Sequence, residues 1–369
     1  MRVFVVGSFA HSLLNFRGAL LSRLAAAGHE VVACAPKANG EIVTKLDRMG
    51  VVYRDIPLHR AGMSPIRDAA TIRSLAGLMR TLRPDRVLAY TAKPVIYSSL
   101  AARVAGRPPV YSMISGLGYA FGSSSARQRL VGNLVRRLYR FALRSNAGVF
   151  FQNPDDLDLF RTEGLLPEAI PVTMINGSGV DLEWYAPEPL PSEPVFLLVA
   201  RLLADKGIRE YVEAARAVKR KFPAARFQIA GDFDPNPMSI SRDELDVWQA
   251  EGAVEYLGAL DDVRPALAGS RVYVLPSYRE GTPRTVLEAM AMGRPVITTD
   301  APGCRETVID GENGLLVPVK DSDALQGAIE RLLESPALAQ QMAEKGLERV
   351  REKYDVRKVN AVIMEAMGL

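Results

Sequence analysis

YREGTPRTVLEAMAMGRPVITTD, residues 278–300, is the stretch whose reading decides the fold. A β-branched run, RVYVLP (271–276), stands just before it, and it closes on another, PVITT (295–299). Between them RTVLEAMAM is built of strong helix formers. A strand, a loop opening a helix, and a second strand one helix later make a parallel crossover unit. The loop carries Glu280 and the helix carries Glu288. As structure alone, Glu280 is a first-turn charge that suits the helix dipole and Glu288 a solvated helix residue. As chemistry, carboxylates accept hydrogen bonds from hydroxyls, so two of them, one on the loop and one on the helix, suit two polyols of one ligand.

The same alternation runs through the rest of the chain. Before residue 180 the strand-like runs are VFVV (3–6), VVAC (31–34), VYRDI (52–56), RVLAY (86–90), VYSM (110–113), GVFFQ (148–152) and VTMI (172–175). After it they are PVFLLVA (194–200), RFQIA (226–230), VEYLG (254–258), RVYVLP, PVITT and NGLLV (313–317), with helical patterns in the gaps. The fold class is therefore α/β, with two doubly wound, Rossmann-like domains expected to face each other across a cleft. The prolines at 187, 189, 191 and 194 mark 181–194 as a linker. The expected division is 1–180, the linker 181–194, a second domain over 195–352, and a last helix, 353–369, returning to the first domain.

Composition narrows the function. Cys34 and Cys304 are too few and too far apart for a disulfide framework, and His11, His29 and His59 have no metal-ligand spacing, so no metal is expected. No apolar run is long enough to span a bilayer, and MRVFVVGSF reads as a first strand, not a signal peptide. Residues 1–180 carry 23 Lys and Arg against 11 Asp and Glu; residues 181–369 carry 23 against 31. A basic first half joined to an acidic second half points to an anionic surface or substrate met by the first.

In the second half, RLLADKG follows the strand FLLVA, placing Arg201 and Lys206 on a strand-to-helix loop. Two cations beside a helix start suit a diphosphate; they are equally the ordinary charges of a surface loop. The EGTPRTV loop sits the same way and offers the backbone N–H groups of Gly281, Thr282 and Arg284. Together these are the parts of a nucleotide-sugar site: Glu280 for a sugar, Glu288 for a ribose, and Arg201 with Lys206 for the diphosphate between them.

Arg201, Lys206 and the pair Glu280-x7-Glu288 within EGTPRTVLEAMAMGRPVITTDAPGCRETVIDGENGLLV resemble the retaining family 4 glycosyltransferases of the GT-B fold. INGSGVD (175–181) is similar to their NGVD segment. The resemblance implies that Arg201 and Lys206 hold the donor diphosphate, Glu280 the donor sugar and Glu288 the ribose. Catalysis then falls to Glu280, Arg201 and Lys206, without cofactor or metal. Many members carry a histidine where this chain reads SMISGLGYAF (112–121). YTAKPVIYSSLAAR (90–103) and SGLGYAF (115–121) instead resemble a subgroup that extends undecaprenyl-diphosphate-linked sugars. Among these are bacterial enzymes that transfer N-acetylgalactosamine to lipid-linked diacetylbacillosamine. The implied donor is a UDP-sugar, the acceptor a polyprenyl-diphosphate-linked sugar, and the location the cytoplasmic face of the cell membrane. A non-catalytic protein of the same shape, binding nucleotides or lipids, is the other class. Retention of both glutamates with Arg201 and Lys206 favours the enzyme.

Gly7 and Ser8 lack bulk and let the backbone approach a ligand; the resemblance turns this loop toward the donor. Candidate acceptor residues are Asn15, Lys93, Gly116 and Leu117. Asn15 equally suits a helix cap, and Lys93 a solvated surface charge. SSSARQRLVGNLVRRLYRFALRS (123–145) is the clearest amphipathic helix. Its apolar stripe is Leu130, Leu134, Leu138, Phe141 and Ala142, with Arg127, Arg129, Arg136, Arg137, Arg140 and Arg144 around it. Six arginines with no acid nearby in sequence repel one another unless an anionic membrane meets them. Nucleic acid is not expected, because no RNA-binding motif and few stacking aromatics accompany the patch.

Overall fold

The structure, a computed structural model, describes residues 1–59, 64–117, 121, 126–234, 236 and 238–369, the side chains of 126–128 excepted. The chain forms two units. Met1–Ser178 with Arg357–Leu369 make the first, and Gly179–Val356 the second.

The first unit is a parallel sheet of β1 (Arg2–Val6), β2 (Glu30–Ala35), β3 (Val51–Asp55), β4 (Arg86–Tyr90), β5 (Val110–Ile114), β6 (Gly148–Phe151) and β7 (Val172–Met174). Their order is β3-β2-β1-β4-β5-β6-β7. The second is β8 (Val195–Val199), β9 (Arg226–Ala230), β10 (Glu255–Tyr256), β11 (Val272–Leu275), β12 (Val296–Thr299) and β13 (Gly314–Val317), in the order β10-β9-β8-β11-β12-β13. Both faces of each sheet are covered by helices, so the strands read as continuous apolar runs. Alternate side chains serve opposite cores. Phe4 and Val6 join Val87 and Phe151 on one face, while Val3 and Val5 join Leu20 and Leu88 on the other. The strand order reverses between β1 and β4 and between β8 and β11, and ligands of such sheets bind beyond the carboxyl ends at these points.

Residues 181–194, expected as a linker, are instead packed on the second unit. Val180 pairs with Asp355, Tyr185 is buried, and the fully buried Arg294 donates to the carbonyls of Glu188 and Pro189. Prolines there give an extended path over the surface, not a free tether. The chain passes between units at Ser178–Gly179 and again at Val356–Arg357. The terminal helix, Val356–Met367, buries Val359, Ile363, Met364 and Met367 in the core that also holds Val3 and Val5. Each such side chain contributes about 1.5–3 kcal/mol.

The basic helix spans Ala126–Leu143. Its packing face is Tyr139, Ala142 and Leu143, with Val135 and Leu138 beside them. Leu130, Leu134 and Phe141, expected in that stripe, are exposed at 73%, 45% and 50%. Two of its arginines have inward partners. Arg136 Nε lies 2.5 Å from Glu163 Oε2, and Arg140 donates to the carbonyls of Glu163 (2.7 Å) and Gly164 (2.9 Å). Arg140 thereby satisfies the C-terminal end of the helix Pro154–Thr162. Of the six arginines expected to face a membrane, Arg136 is half-buried against Glu163; Arg129, Arg137, Arg140 and Arg144 are exposed, and the Arg127 side chain lies outside the described residues. No helix among the described residues is long and apolar enough to cross a membrane.

Candidate active site

The second unit gathers its polar residues beyond β8 and β11, at the switch point. After β8, Arg201 leads into a short 3-10 turn, Ala204–Lys206, and then into the helix Ile208–Lys221. Gly207 makes the joint. Its φ is +69°, and a Cβ there would lie 2.1 Å from the Pro276 carbonyl oxygen, so only glycine lets this turn press against the end of β11.

Beyond β11, Glu280 precedes the helix Arg284–Ala291, and Glu288 is its fifth residue. Lys206 and Glu280 meet directly, Nζ to Oε1 at 2.5 Å, with the two side chains 12% and 19% exposed. Ser277 Oγ lies 2.9 Å from the same Oε1. The loop is braced from β12. The Glu280 N–H donates to the Pro302 carbonyl at 2.9 Å, and Gly303, at φ +83°, would place a Cβ 2.2 Å from the Glu280 carbonyl oxygen. Gly281 is buried and Thr282 half-buried at the helix start.

Glu288 is 6% exposed. Its Oε1 accepts from the Tyr185 hydroxyl at 2.9 Å and lies 2.8 Å from Arg284 Nε, one turn earlier on the helix. Burial pushes its carboxyl above the ordinary range, while Arg284 and the Tyr185 hydrogen bond pull it down. Arg201 is half exposed and pairs with Asp234, Nη1 to Oδ2 at 2.5 Å. In this structure, then, both cations assigned to a diphosphate rest on carboxylates.

In the first unit, Gly7 and Ser8 follow β1 and are buried. A Cβ on Gly7 would lie 2.3 Å from the Tyr90 hydroxyl, which is itself 2.7 Å from Ser12 Oγ, so Tyr90 fills that side of the loop. Asn15 ends the short helix His11–Asn15 and is exposed. Lys93 follows β4. Its Nζ donates to the His59 carbonyl at 2.8 Å and lies 3.4 Å from Asp68 Oδ1, which ties the segment after β3 to the helix Ala92–Val104. Gly116 has φ +104°. Leu117, expected to touch an acceptor, is 5% exposed and belongs to the core, because the turn at Gly116 directs the apolar side chain back onto the sheet.

Sequence reasoning missed Tyr185, Asp234, Ser277 and Gly303. Gly303 had a signal, a glycine within APGCRET directly after a buried strand. The other three are ordinary loop residues whose partners lie 103, 33 and 3 positions away. Among the described residues no group of three or more His, Cys, Asp or Glu is placed to hold a metal ion.

Residues 16–176 match the family of glycosyl transferase 4-like domains, and residues 193–335 match the glycosyl transferases of group 1. The N,N'-diacetylbacillosaminyl-diphospho-undecaprenol alpha-1,3-N-acetylgalactosaminyltransferase of Campylobacter jejuni is 29% identical, over 93% of this chain and 92% of its own. The UDP-Gal:alpha-D-GlcNAc-diphosphoundecaprenol alpha-1,3-galactosyltransferase of Escherichia coli is 27% identical, over 77% and 75%. Among solved structures, sucrose-phosphate synthase of Thermosynechococcus elongatus superposes with a TM-score of 0.79 at 19% identity, covering 99% of this chain and 98% of that one. With two Rossmann-like sheets, acidic and basic residues gathered at a switch point, and a match to each half, the chain belongs to the group 1, family 4-like glycosyltransferases of the GT-B fold.

Proposed function

We propose that this glycosyltransferase moves an N-acetylhexosamine, N-acetylgalactosamine as the first choice, from a UDP-sugar to an undecaprenyl-diphosphate-linked sugar. Transfer retains the anomeric configuration, needs no metal, and takes place at the cytoplasmic face of the cell membrane. One observation carries the reading: Lys206, Arg201, Glu280 and Glu288 converge beyond the neighbouring strands β8 and β11. Cations for a diphosphate stand there beside carboxylates for hydroxyls. The acceptor class comes from the two relatives, whose names give undecaprenyl-diphosphate-linked sugars.

In the reaction, the bond from the sugar's anomeric carbon to the diphosphate oxygen breaks as the bond to the acceptor hydroxyl oxygen forms on the same face. Arg201, Lys206 and the helix start at Ile208 stabilise charge developing on the leaving diphosphate. The acceptor proton passes to the departing phosphate oxygen, so UDP leaves and no protein base is consumed. Glu280 holds the donor sugar through its hydroxyls, and Glu288 the ribose.

The test is a panel of nucleotide sugars against polyprenyl-diphosphate acceptors, with and without EDTA, read by product mass and by anomeric NMR coupling. UDP-linked N-acetylhexosamine is expected to be used, EDTA to leave the rate unchanged, and the new linkage to be α. An inverted linkage, or turnover abolished by EDTA and restored by magnesium or manganese, overturns the mechanism.

A further inference from the structure

We infer that Tyr185, in the turn just after the chain enters the second unit, is a positioning residue for the nucleotide's ribose: its hydroxyl holds one oxygen of Glu288, beside the charge of Arg284, so that the other oxygen accepts the ribose hydroxyls. This rests on the reading of Glu288 as the ribose carboxylate. The Tyr185 hydroxyl donates to Glu288 Oε1 at 2.9 Å, and Arg284 Nε stands 2.8 Å from that same atom. A carboxylate has two oxygens and about four acceptor positions. Fixing one oxygen from the protein side, by the Tyr185 hydrogen bond and the Arg284 ion pair, limits rotation of the group and leaves the second for a vicinal diol.

Tyr185 can do this because its own backbone is held at several points. Asp181 Oδ1 accepts from the N–H groups of Glu183 (3.0 Å) and Trp184 (3.1 Å), and the Tyr185 N–H donates to the Asp181 carbonyl at 2.9 Å. These bonds close a single turn that aims the ring inward. The Arg264 guanidinium stacks 3.7 Å from the Trp184 ring centroid. Further on, the Glu188 N–H donates to the Met292 carbonyl at 3.2 Å, and Arg294 grips the Glu188 carbonyl. The ring is 7% exposed. A tyrosine so placed has little freedom to swing away when nucleotide arrives.

The second consequence is electrical. Among the described residues, Arg284 on the same helix, Tyr185 in the Asp181–Tyr185 turn and Tyr273 on β11 are the charged and titratable groups that bear on Glu288. Burial favours the protonated carboxyl, which donates where an acceptor is needed. Arg284 and Tyr185 oppose that. Removing the Tyr185 hydroxyl therefore moves protonation of Glu288 to higher pH, and binding through it weakens first on the acid side.

The experiment compares binding of UDP and of 2′,3′-dideoxy-UDP by calorimetry, for the parent chain, Tyr185→Phe and Glu288→Gln. Phenylalanine keeps the ring, and unfolding temperature checks that the fold is intact. The parent is expected to prefer UDP. Tyr185→Phe should cut that preference about 5- to 10-fold, the scale of one net hydrogen bond. It should also move the acid limb of UDP binding to higher pH and leave dideoxy-UDP nearly unaffected. If Glu288→Gln keeps the full preference, the ribose reading of Glu288 fails and this inference with it. If Glu288→Gln loses the preference while Tyr185→Phe keeps it, or weakens both ligands equally with no change in the pH limb, Tyr185 is only a packing residue. The ribose reading then stands and the inference is overturned.

Discussion

Lys206 and Glu280 sit at 2.5 Å, and the proposed function gives each a ligand partner as well. An ammonium 12% exposed and a carboxylate 19% exposed satisfy each other here. The two residues therefore differ in what their loss should do. In the proposed reaction, Lys206→Ala removes a cation from the developing diphosphate charge and leaves Glu280 to repel it. Turnover at saturating donor should fall about 100-fold or more, as for loss of one strong transition-state donor. Glu280→Gln removes the competitor for Lys206. UDP lacking its sugar should bind a few-fold more tightly than to the parent, the scale of a partly exposed ion pair, while turnover with the sugar donor collapses. Calorimetry and initial rates on both variants check this. Near-normal turnover in Lys206→Ala, or unchanged UDP affinity in Glu280→Gln, would contradict the exchange of partners.

The loops around that pair depend on glycine, where one methyl group decides the geometry. Gly303→Ala puts a Cβ 2.2 Å from the Glu280 carbonyl oxygen at a φ of +83°. The left-handed conformation alone costs about 1–2 kcal/mol, and the backbone clash adds to it. We expect the unfolding temperature of the second unit to drop by roughly 5 °C or more, since 1 kcal/mol shifts a domain of this size by about 2–4 °C. Donor KM should rise as the Glu280 loop is pushed aside. Scanning calorimetry and donor titration report the two effects, and a Gly303→Ala chain with parent values for both would show that the loops do not brace each other. The elements themselves were legible from sequence. Thirteen apolar, β-branched runs became the thirteen strands of the described residues, because a strand buried on both faces has few polar positions. The placement of Glu280, Glu288, Arg201 and Lys206 was legible too, since each lies on a strand-to-helix loop or in the helix that follows. Pairings set by tertiary distance were not. Arg136 finds Glu163 and Tyr185 finds Glu288 across 27 and 103 residues, and a proline-rich composition looks the same whether a segment hangs free or is pinned by Arg294. The packing face of the Ala126–Leu143 helix was misread because its apolar residues lie on more than one side.

Over the whole molecule the charge is divided, with 23 basic to 11 acidic residues in 1–180 and 23 to 31 in 181–369. The exposed side of the Ala126–Leu143 helix and the loop after it concentrates that division. Arg129, Arg137 and Arg144 lie next to the exposed Leu130, Leu134 and Phe141, so cation and apolar surface run side by side. Such a face suits the headgroup region of an anionic bilayer, with leucines below the arginines. If the proposed acceptor is a lipid, docking here holds the enzyme where its substrate is. Changing Arg129, Arg137 and Arg144 together to Gln keeps helix propensity and most of each apolar stem. Binding to phosphatidylglycerol vesicles should weaken by up to about 3 kcal/mol, near 1 kcal/mol for each charge at the headgroups. Leu130→Ser with Leu134→Ser should weaken binding as well, but with less dependence on salt, because the lost term is apolar burial and not screened charge. Arg136→Gln with Arg140→Gln should behave differently. Those side chains hold Glu163 and the end of the Pro154–Thr162 helix, so the change should lower the unfolding temperature more than it lowers vesicle affinity. Transfer to a short, water-soluble acceptor should be unchanged in the first two variants and transfer to a long-chain acceptor slowed, which separates docking from damage to the site. Vesicle flotation and paired acceptor assays at two salt concentrations measure all of this, and a triple Gln chain that floats and uses the long-chain acceptor as the parent does would remove the helix from any membrane role.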